Sequence, residues 1–264
     1  ALNAAHELVT DSVRYASRLQ RGQLPRTNRL DNRFASFASL WEPRDMIGGD
    51  LWWVSSSQHD GPFVLAVADC TGHGVPGAML SFLVGNSLER IYAHHTDVDP
   101  ATALVSLDHY VRTGLNQDRS DSESDDGCDA IVLRIDRSQC SLEFASAKIA
   151  LFQINAEGQI IRHAATRCSL GYVERTIDQA RPQVTRIAYA PGDVFAVVTD
   201  GLTDQIGKGP RGRSSYGYRR LASVLQENAQ ADAGTIIQKL QDDFRQWQGD
   251  ESRRDDVTAL VFKL

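Results

Sequence analysis

Long apolar runs are absent from this sequence of 264 residues. No stretch approaches the roughly 20 apolar residues needed to cross a bilayer, and no signal peptide is visible. Cysteine is scarce, and the four cysteines show no C-x-x-C spacing, which disfavours a zinc knuckle or a disulfide framework and favours a reducing cytoplasm. Basic residues are outnumbered, 28 Lys and Arg against 34 Asp and Glu, and the net charge of −6 argues against nucleic-acid binding.

Periodic patterns divide the chain into an N-terminal helix and a body that mixes strands with helices. Four apolar residues of segment 3–21 recur at roughly helical spacing: Leu8, Val13, Ala16 and Leu19. After this helix come three strand-like segments, two helical ones, further strands, two more helical segments and a last strand, DVTALVFKL. Strand meanders interrupted by paired helices predict an α+β layered sandwich rather than a parallel doubly wound sheet.

Aspartates stand at the ends of four apolar strands: Asp50, Asp69, Asp200 and the pair Asp255–Asp256. A carboxylate at such a place is costly to desolvate unless something offsets its charge. A single one is usually a cap or a turn former. Four are harder to explain in that way, because carboxylates that converge in one cleft repel each other. A hard divalent cation such as Mg²⁺ or Mn²⁺ would offset that repulsion and prefers oxygen ligands.

Four motifs resemble, in order and spacing, those of the metal-dependent serine/threonine protein phosphatases (PPM, type 2C class) in their bacterial SpoIIE-like branch: IGGD, VADCTGHGVPGA, APGDVFAVVTDGLTD and DDVTALVF. The resemblance spans roughly 34–264. It implies the PPM phosphatase fold, an antiparallel β-sandwich flanked by helix pairs in αββα layers. It also divides the chain into a linker or switch helix, 1–25, and a SpoIIE-like phosphatase domain, 26–264.

The resemblance further implies a site for two metal ions, Mn²⁺ or Mg²⁺. Asp69 would bridge both ions, with the carbonyl of Cys70 completing one shell. Asp50 would ligate one ion, and Asp200 and Asp255 would hold the other. Such ions would lower the pKa of bound water and so supply a nucleophile near neutral pH, and no phospho-enzyme would be required. A cysteine-nucleophile phosphatase would need a C-x5-R loop, which none of the cysteines has.

Three further side chains are candidates for work on the substrate. His73 either donates a proton to the leaving oxygen or merely ties the glycine-rich turn to the next helix. Arg44 is a candidate phosphate contact, because guanidinium matches phosphate geometry. Lys148 stands where the branch often has a Gly-His pair, and it is either a substrate contact or a solvated strand lysine.

Two features depart from, or add to, the family pattern. Trp53 stands where the branch often carries a second acid, which we interpret as lost support around the site rather than a lost ligand. The acidic segment 117–126 has nothing to bury and is predicted to be a mobile loop. Three acids in or beside it are candidates for a weak third metal ligand: Asp125, Asp126 and Asp129.

The resemblance implies hydrolysis of phosphoserine or phosphothreonine on a small regulatory protein, an anti-sigma antagonist or STAS-like protein. The setting would be a bacterial partner-switching pathway opposed by a protein kinase. The catalytic domain is expected in the cytoplasm, within a longer sensor protein that could be anchored in the inner membrane. The apolar stripe of the N-terminal helix needs a covering surface. We therefore expect a homodimer through this helix, with packing on its own domain as the alternative.

Two other classes stay open on the residues alone. GGD also opens the signature of diguanylate cyclases, but Leu51 and Trp52 follow where that family needs an acid and an aromatic, and the later motifs would be unexplained. The second alternative is a catalytically silent, phosphatase-like module that only binds a partner. The presence of all four strand-end aspartates argues against such a module.

Overall fold

The computed structural model describes residues 2–27, 30, 33–55, 61–93, 97–119, 121–173, 180–209 and 212–264. Its helices, numbered in chain order, are α1 Leu2–Gln23, α2 Gly74–Tyr92, α3 Pro100–Gly114, α4 Asp200–Thr203, α5 Gly217–Glu227 and α6 Ala233–Gln248. Its strands are β1 Ser36–Glu42, β2 Leu51–Val54, β3 Phe63–Cys70, β4 Cys128–Asp136, β5 Ser141–Ala147, β6 Leu151–Ile154, β7 Ile160–His163, β8 Thr185–Ala188, β9 Val194–Val198, β10 Ile206–Gly209, β11 Gly212–Ser215 and β12 Val257–Lys263.

The strands form two five-stranded antiparallel sheets and a small hairpin. One sheet has the order β1-β12-β9-β6-β7, the other has the order β2-β3-β4-β5-β8, and β10 pairs with β11. One apolar core lies between the sheets. A second core lies between the β2–β8 sheet and the pair α2 and α3, and a third lies between the other sheet and the pair α5 and α6. The predicted α+β fold with αββα layers is therefore confirmed.

Strand β3 shows why the sequence forms layers. Its apolar residues alternate between two cores: Leu65 and Val67 join the core between the sheets, whereas Val64 and Ala66 join the core beneath α2 and α3. This is the two-residue period of a strand applied to a segment that is buried on both faces. The alternation puts Asp69 on the same face as Val67, so its side chain points toward the space between the two sheets.

Helix α1 has two different faces rather than one apolar stripe. Val13 and Ala16 are partly buried on the side that meets the body, together with the fully buried Gln20. Leu8 and Leu19, which the sequence analysis placed on the same stripe, are 70% and 50% exposed on another side. The stripe was wrong in detail because residues 8 and 13 lie five positions apart, which separates them by more than a quarter of a helical turn. Among the described residues, no helix combines the length and apolarity required to span a bilayer.

The acidic segment is anchored at both ends, contrary to the expectation of a loop with nothing to bury. Gln117 is 2% exposed, and its Nε2 donates to the carbonyls of Asp126 and Gly171. Its Oε1 accepts from the backbone N–H of Asp126 at 2.7 Å. The buried side-chain amide of Gln117 therefore joins the two ends of the segment and connects them to Gly171. Residue 120 lies outside the described residues.

A polar cluster at the end of β1 provides a test of the packing between β1 and α6. Glu42 accepts hydrogen bonds from Arg253 at 2.8 Å, Gln241 at 2.6 Å and Arg245 at 2.9 Å. Burial alone would raise the pKa of Glu42, but these donors outweigh burial and hold the pKa below its usual value. The charged form is therefore the one that the folded state favours.

We expect Glu42→Gln to lower the free energy of unfolding near neutral pH by about 1–2 kcal/mol. Because a lowered carboxyl pKa stabilises the fold above the unfolded-state pKa and that contribution is lost as pH falls through the folded-state pKa, the difference from wild type should shrink in acid. Urea unfolding between about pH 7 and about pH 3 measures it. Glu157→Gln, at an exposed turn, is the control, and an equal loss in both variants would contradict the prediction.

Candidate functional site

The register of the β2–β8 sheet aligns three acids and a lysine in one row across four strands. Asp50 directly precedes Leu51, which pairs with Ala68, so Asp50 lies opposite Asp69. Asp69 pairs in turn with Asp129 on β4. Lys148 directly follows Ala147, the partner of Ala130, and its Nζ lies 3.5 Å from Asp129 Oδ1. The row therefore runs along one end of this sheet, on the side that faces the other sheet.

The facing sheet brings its own acids to the same end. Asp200 follows β9 and Asp255 precedes β12, and these strands are antiparallel neighbours. A hydrogen bond joins the two sheets here: Thr199 Oγ1 donates to Asp50 Oδ2 at 2.7 Å. The predicted aspartates Asp50, Asp69, Asp200 and Asp255 are therefore brought to one end of the sandwich.

Asp50 is the most enclosed of these acids, at 2% exposed. Burial raises its pKa to about 7, the negative charges of Asp256 and Asp255 add to the rise, and the hydrogen bond from Thr199 opposes it. Its Oδ1 is buried and has no partner within hydrogen-bond distance among the described residues, although the nearby Thr258 hydroxyl also opposes the rise in pKa. A buried carboxylate oxygen without a donor is costly unless a cation or another donor meets it.

The acidic cleft is a cavity of about 220 Å³ at this end of the sandwich. Its lining includes Asp69, Asp129, Lys148, Asp200, Asp204 and Tyr218. Burial, followed by the charges of Asp50 and Asp200, raises the pKa of Asp69 well above its ordinary value. Asp200 is exposed, yet partial desolvation and the charges of Asp204 and Asp255 raise its pKa to about 6. The cleft thus favours whatever positive charge enters it.

The donor set fits hard divalent cations. Within the described part of the chain, no three His, Cys, Asp or Glu side chains stand in an arrangement that could hold a metal ion as it is. Asp69, Asp129 and Asp200 nevertheless line one cleft, and Asp50, the cross-strand neighbour of Asp69, has a buried Oδ1 without a donor. Burial, followed by mutual repulsion, raises the pKa values of Asp50 and Asp69. All-oxygen donors of this kind suit Mg²⁺ or Mn²⁺. The assignment of each ligand stays a prediction.

Close approach of backbone segments explains the glycine that precedes Asp50. A Cβ on Gly49 would lie 2.7 Å from the carbonyl oxygens of Cys70 and Gly72. Only glycine lets the loop 43–50 touch the end of β3. The Cys70 carbonyl therefore lies beside the loop that carries Asp50, whereas the Cys70 thiol is buried in the core beneath α2 and α3.

The remaining predicted residues separate into two places. Lys148 lines the acidic cleft at a backbone φ of 61°, an unusual conformation for lysine, so it is not an ordinary strand lysine. His73 lies outside the cleft lining, with Nδ1 2.7 Å from Asp45 Oδ2. Arg44 is exposed, and its Nη1 donates to the carbonyl of Arg254 at 3.2 Å. The structure therefore does not bring Arg44 into the acidic cleft.

Two earlier interpretations acquire a structural context. Trp53 points into the core beneath α2, where its Nε1 donates to Glu89 at 2.7 Å, so position 53 faces away from the space between the sheets. Of the acids proposed for a third metal ion, Asp129 lines the cleft. Asp125 instead accepts from the backbone N–H of Val173 at 2.9 Å. Asp126 does not line the cleft.

Several residues at the site were missed from sequence. Asp256 accepts from the backbone N–H groups of Arg44 at 2.7 Å and Gly49 at 2.6 Å, and so shapes the loop 43–50. Thr199 could have been predicted to lie at the site, because it directly precedes Asp200 at the end of an apolar strand. Nothing in the sequence around Asp45 or Tyr218 indicates the site, since the residues near them in space come from distant parts of the chain.

The side-chain amide of Gln20 connects helix α1 to the loop 43–50. Gln20 Nε2 donates to the Gly48 carbonyl at 2.6 Å and to Ser81 Oγ at 3.0 Å, while the Gly48 N–H donates to Gln20 Oε1 at 3.2 Å. Nearby, the Trp41 indole N–H donates to the Asp50 carbonyl at 2.9 Å, and the Arg21 guanidinium lies over the Trp41 ring. The position of Asp50 therefore depends on α1.

The αββα sandwich is the fold of the PPM phosphatases, and solved structures of that class share it. RsbX in complex with magnesium is similar over 86% of this chain and 93% of that chain, at 18% identity and a TM-score of 0.56. The phosphatase domain of SpoIIE from Bacillus subtilis is similar over 87% and 63%, at 15% identity and a TM-score of 0.66. At these identities the likeness shows the fold alone.

The chain belongs to the SpoIIE family of PPM serine/threonine phosphatases, because the model of Stage II sporulation protein E (SpoIIE) matches residues 59–264. The SiaA-PP2C domain of Pseudomonas aeruginosa is similar at 31% identity, over 99% of both chains, with a TM-score of 0.85. Comparison with curated proteins gives no significant match. The resemblance inferred from the motifs is confirmed, and with it the enzyme class, a protein serine/threonine phosphatase.

We expect Gln20→Ala to weaken metal binding, because Gly48 then loses both of its buried hydrogen bonds to Gln20 and the loop that carries Asp50 relaxes. The concentration of Mn²⁺ that gives half-maximal activity should rise roughly tenfold, and stability should fall by about 1–3 kcal/mol. Calorimetric Mn²⁺ titration and thermal unfolding measure these effects. Gln23→Ala, an exposed glutamine three residues further on, is the control. An unchanged Mn²⁺ titration in Gln20→Ala would contradict the role of this amide.

Proposed function

We propose that this phosphatase hydrolyses a phosphoserine or phosphothreonine on a small regulatory protein of the anti-sigma-antagonist or STAS type. The reaction would belong to a bacterial partner-switching pathway in which a protein kinase adds the phosphate. Membership of the SpoIIE family and the similarity to the SiaA domain support this choice. The same proposal places the chain in the cytoplasm, as the catalytic part of a longer sensor protein.

The observation that carries the proposal is the acidic row closed by a lysine, with further acids opposite it. Asp50, Asp69, Asp200 and Asp255, with the Cys70 carbonyl, would hold two ions of Mn²⁺ or Mg²⁺, and Asp129 is the candidate for a weak third. Such ions supply a bound water of lowered pKa and offset the charge of the phosphoryl oxygens. The protein's own contribution is to hold these oxygens in place before substrate arrives.

Each remaining side chain has a task that follows from its place. Thr199 fixes Asp50 by hydrogen bonding, so this carboxylate presents its free Oδ1 in one orientation. Lys148 offers an ammonium group to the phosphate from the far end of the row. His73, oriented by Asp45 at the rim, is the candidate proton donor to the leaving oxygen. Arg44 would meet the substrate outside the cleft rather than the reacting phosphate.

Removing the central carboxylate tests the mechanism. We expect Asp69→Ala to lower turnover of an aryl phosphate and a phosphoserine peptide by at least about 100-fold, because the shared metal ligand is lost. Thermal stability without metal should be unchanged or higher, because the variant relieves carboxylate repulsion. Asp250→Asn, at an exposed position, is the control. Wild-type turnover and Mn²⁺ binding in Asp69→Ala would refute the site.

If the chain is instead a catalytically silent binding module, the wild-type protein should bind a phosphorylated partner without hydrolysing it. A wild-type chain that binds a phosphorylated regulatory protein but shows no Mn²⁺-dependent hydrolysis of it would favour that alternative. Hydrolysis that requires Mn²⁺ or Mg²⁺ and stops with a chelator would exclude it.

The exposed face of α1 supports a homodimer. Leu8, Tyr15 and Leu19 are 70%, 57% and 50% exposed and lie seven and four residues apart, so they share one side of the helix. An unpartnered apolar strip on a helix that also holds the site loop is suited to couple assembly to metal binding. The coupling would be reciprocal, so metal should tighten the dimer as the dimer tightens metal.

We expect Leu8→Glu combined with Leu19→Glu to halve the mass measured by light scattering and to weaken Mn²⁺ binding. His6→Glu, which changes an exposed polar residue of the same helix, is the control. A wild-type protein that is already monomeric, and whose activity does not depend on its concentration, would exclude the dimer.

A further inference from the structure

A basic groove lies between helix α1 and the loop 43–50. It is an open cavity of about 600 Å³, separate from the acidic cleft, with which it shares no lining residue. Four arginines and two acids carry its charge: Arg14, Arg21, Arg44 and Arg253, and Glu42 and Asp45. The lining is therefore positive by two charges, four against two, in a chain whose net charge is −6.

The arginines of the groove are only partly neutralised. Arg14 is 67% exposed and pairs with Asp11, which is also exposed, so solvent screens that ion pair. Arg253 donates from Nη2 to Glu42, while its Nη1 is buried and meets no hydrogen-bond partner among the described residues. The Arg44 guanidinium bonds only to a backbone carbonyl in that part of the chain. The groove thus presents positive charge, mainly from the exposed Arg14 and Arg44.

The loop 43–50 connects the groove with the end of the sandwich where the acids lie. The backbone N–H of Arg44 donates to Asp256, which also holds Gly49 beside Asp50. Asp45, the next groove residue, lies 2.7 Å from His73 at the start of α2. A polypeptide lying in the groove would therefore pass along the same loop that carries the proposed metal ligand Asp50.

Dimerisation through α1 would leave the groove open. Arg14, Ser17 and Arg21 lie three and four residues apart on one side of α1. At 100° per residue, that side is roughly 150° away from the side that carries Leu8, Tyr15 and Leu19. One helix can therefore present the apolar strip to a second copy and the basic groove to another molecule.

We propose that this groove docks an acidic segment of the phosphoprotein substrate and so selects substrates whose phosphorylated residue is flanked by Asp or Glu. The inference rests on the proposed phosphatase function and adds the substrate chemistry. Complementary charge brings the acidic flank to the arginines while the phosphorylated residue enters the neighbouring cleft. A flank that is basic would meet the same arginines unfavourably.

Matched phosphoserine peptides test the proposal, with several acidic residues in one and glutamines at the same positions in the other. We expect wild-type kcat/KM to favour the acidic peptide about tenfold at low salt, because two or three exposed ion pairs act together. In about 0.5 M salt the preference should largely disappear. Fluorescence anisotropy of the labelled peptides measures docking independently of turnover.

Two variants address the groove from the same helix face. Arg14→Glu reverses a charge and Ser17→Glu adds one, and both should reduce the ratio of acidic to neutral kcat/KM to near one. Lys239→Glu makes the same change of charge on the exposed face of α6, outside the groove, and should keep the wild-type ratio. Circular dichroism checks that each variant is folded.

The outcomes separate the groove from the catalytic proposal. Equal kcat/KM for the two peptides in the wild-type protein, or an unchanged preference in Arg14→Glu and Ser17→Glu, would overturn the groove and leave the phosphatase assignment intact. Acid-selective binding without any Mn²⁺-dependent hydrolysis would overturn the proposed function and support the groove. A change of molecular mass in Arg14→Glu would show that a second copy occupies the groove, and would overturn the assignment to substrate.

Discussion

The hydrogen bond from Thr199 to Asp50 is the contact on which the site depends, because it joins the two sheets where their acids meet. Carboxylates gathered at one end of a sandwich are costly to bury and repel one another, and both effects, burial first, raise the pKa values of Asp50, Asp69 and Asp200. A hydroxyl donor from the opposite sheet opposes this rise at the most deeply buried acid. The apolar core between the sheets supplies the rest of the cohesion.

Regions of opposite charge lie on the two sides of the loop 43–50. The acidic cleft concentrates negative charge, whereas the basic groove carries an excess of positive charge. Asp256 stands between them, since it holds both Arg44 and Gly49 by their backbone N–H groups. The loop between the two regions is fixed by hydrogen bonds with Gln20 on one side and Asp256 on the other, which keeps the two regions apart.

The sequence alone predicted the layers and the identity of the four strand-end acids, because apolar periodicity and acid–glycine motifs are local signals. It could not predict the row of Asp50, Asp69, Asp129 and Lys148, since strand register arises from pairing between distant segments. It also misjudged α1, whose inward side is decided by the buried polar Gln20 rather than by its leucines. The burial of Gln117 was not predicted for the same reason, because a buried side-chain amide cannot be distinguished from a solvated one in the sequence.

Two hydrogen bonds between the side chain of Gln20 and the backbone of Gly48 connect α1 to the loop 43–50. A side-chain amide matches one backbone amide only when helix and loop are aligned, with donor against acceptor and acceptor against donor. Sliding the helix by one residue, about 1.5 Å, or rolling it by about 100° would break both bonds together. A displacement of α1 of that size would therefore release Gly48, and with it the loop that carries Asp50, from both bonds.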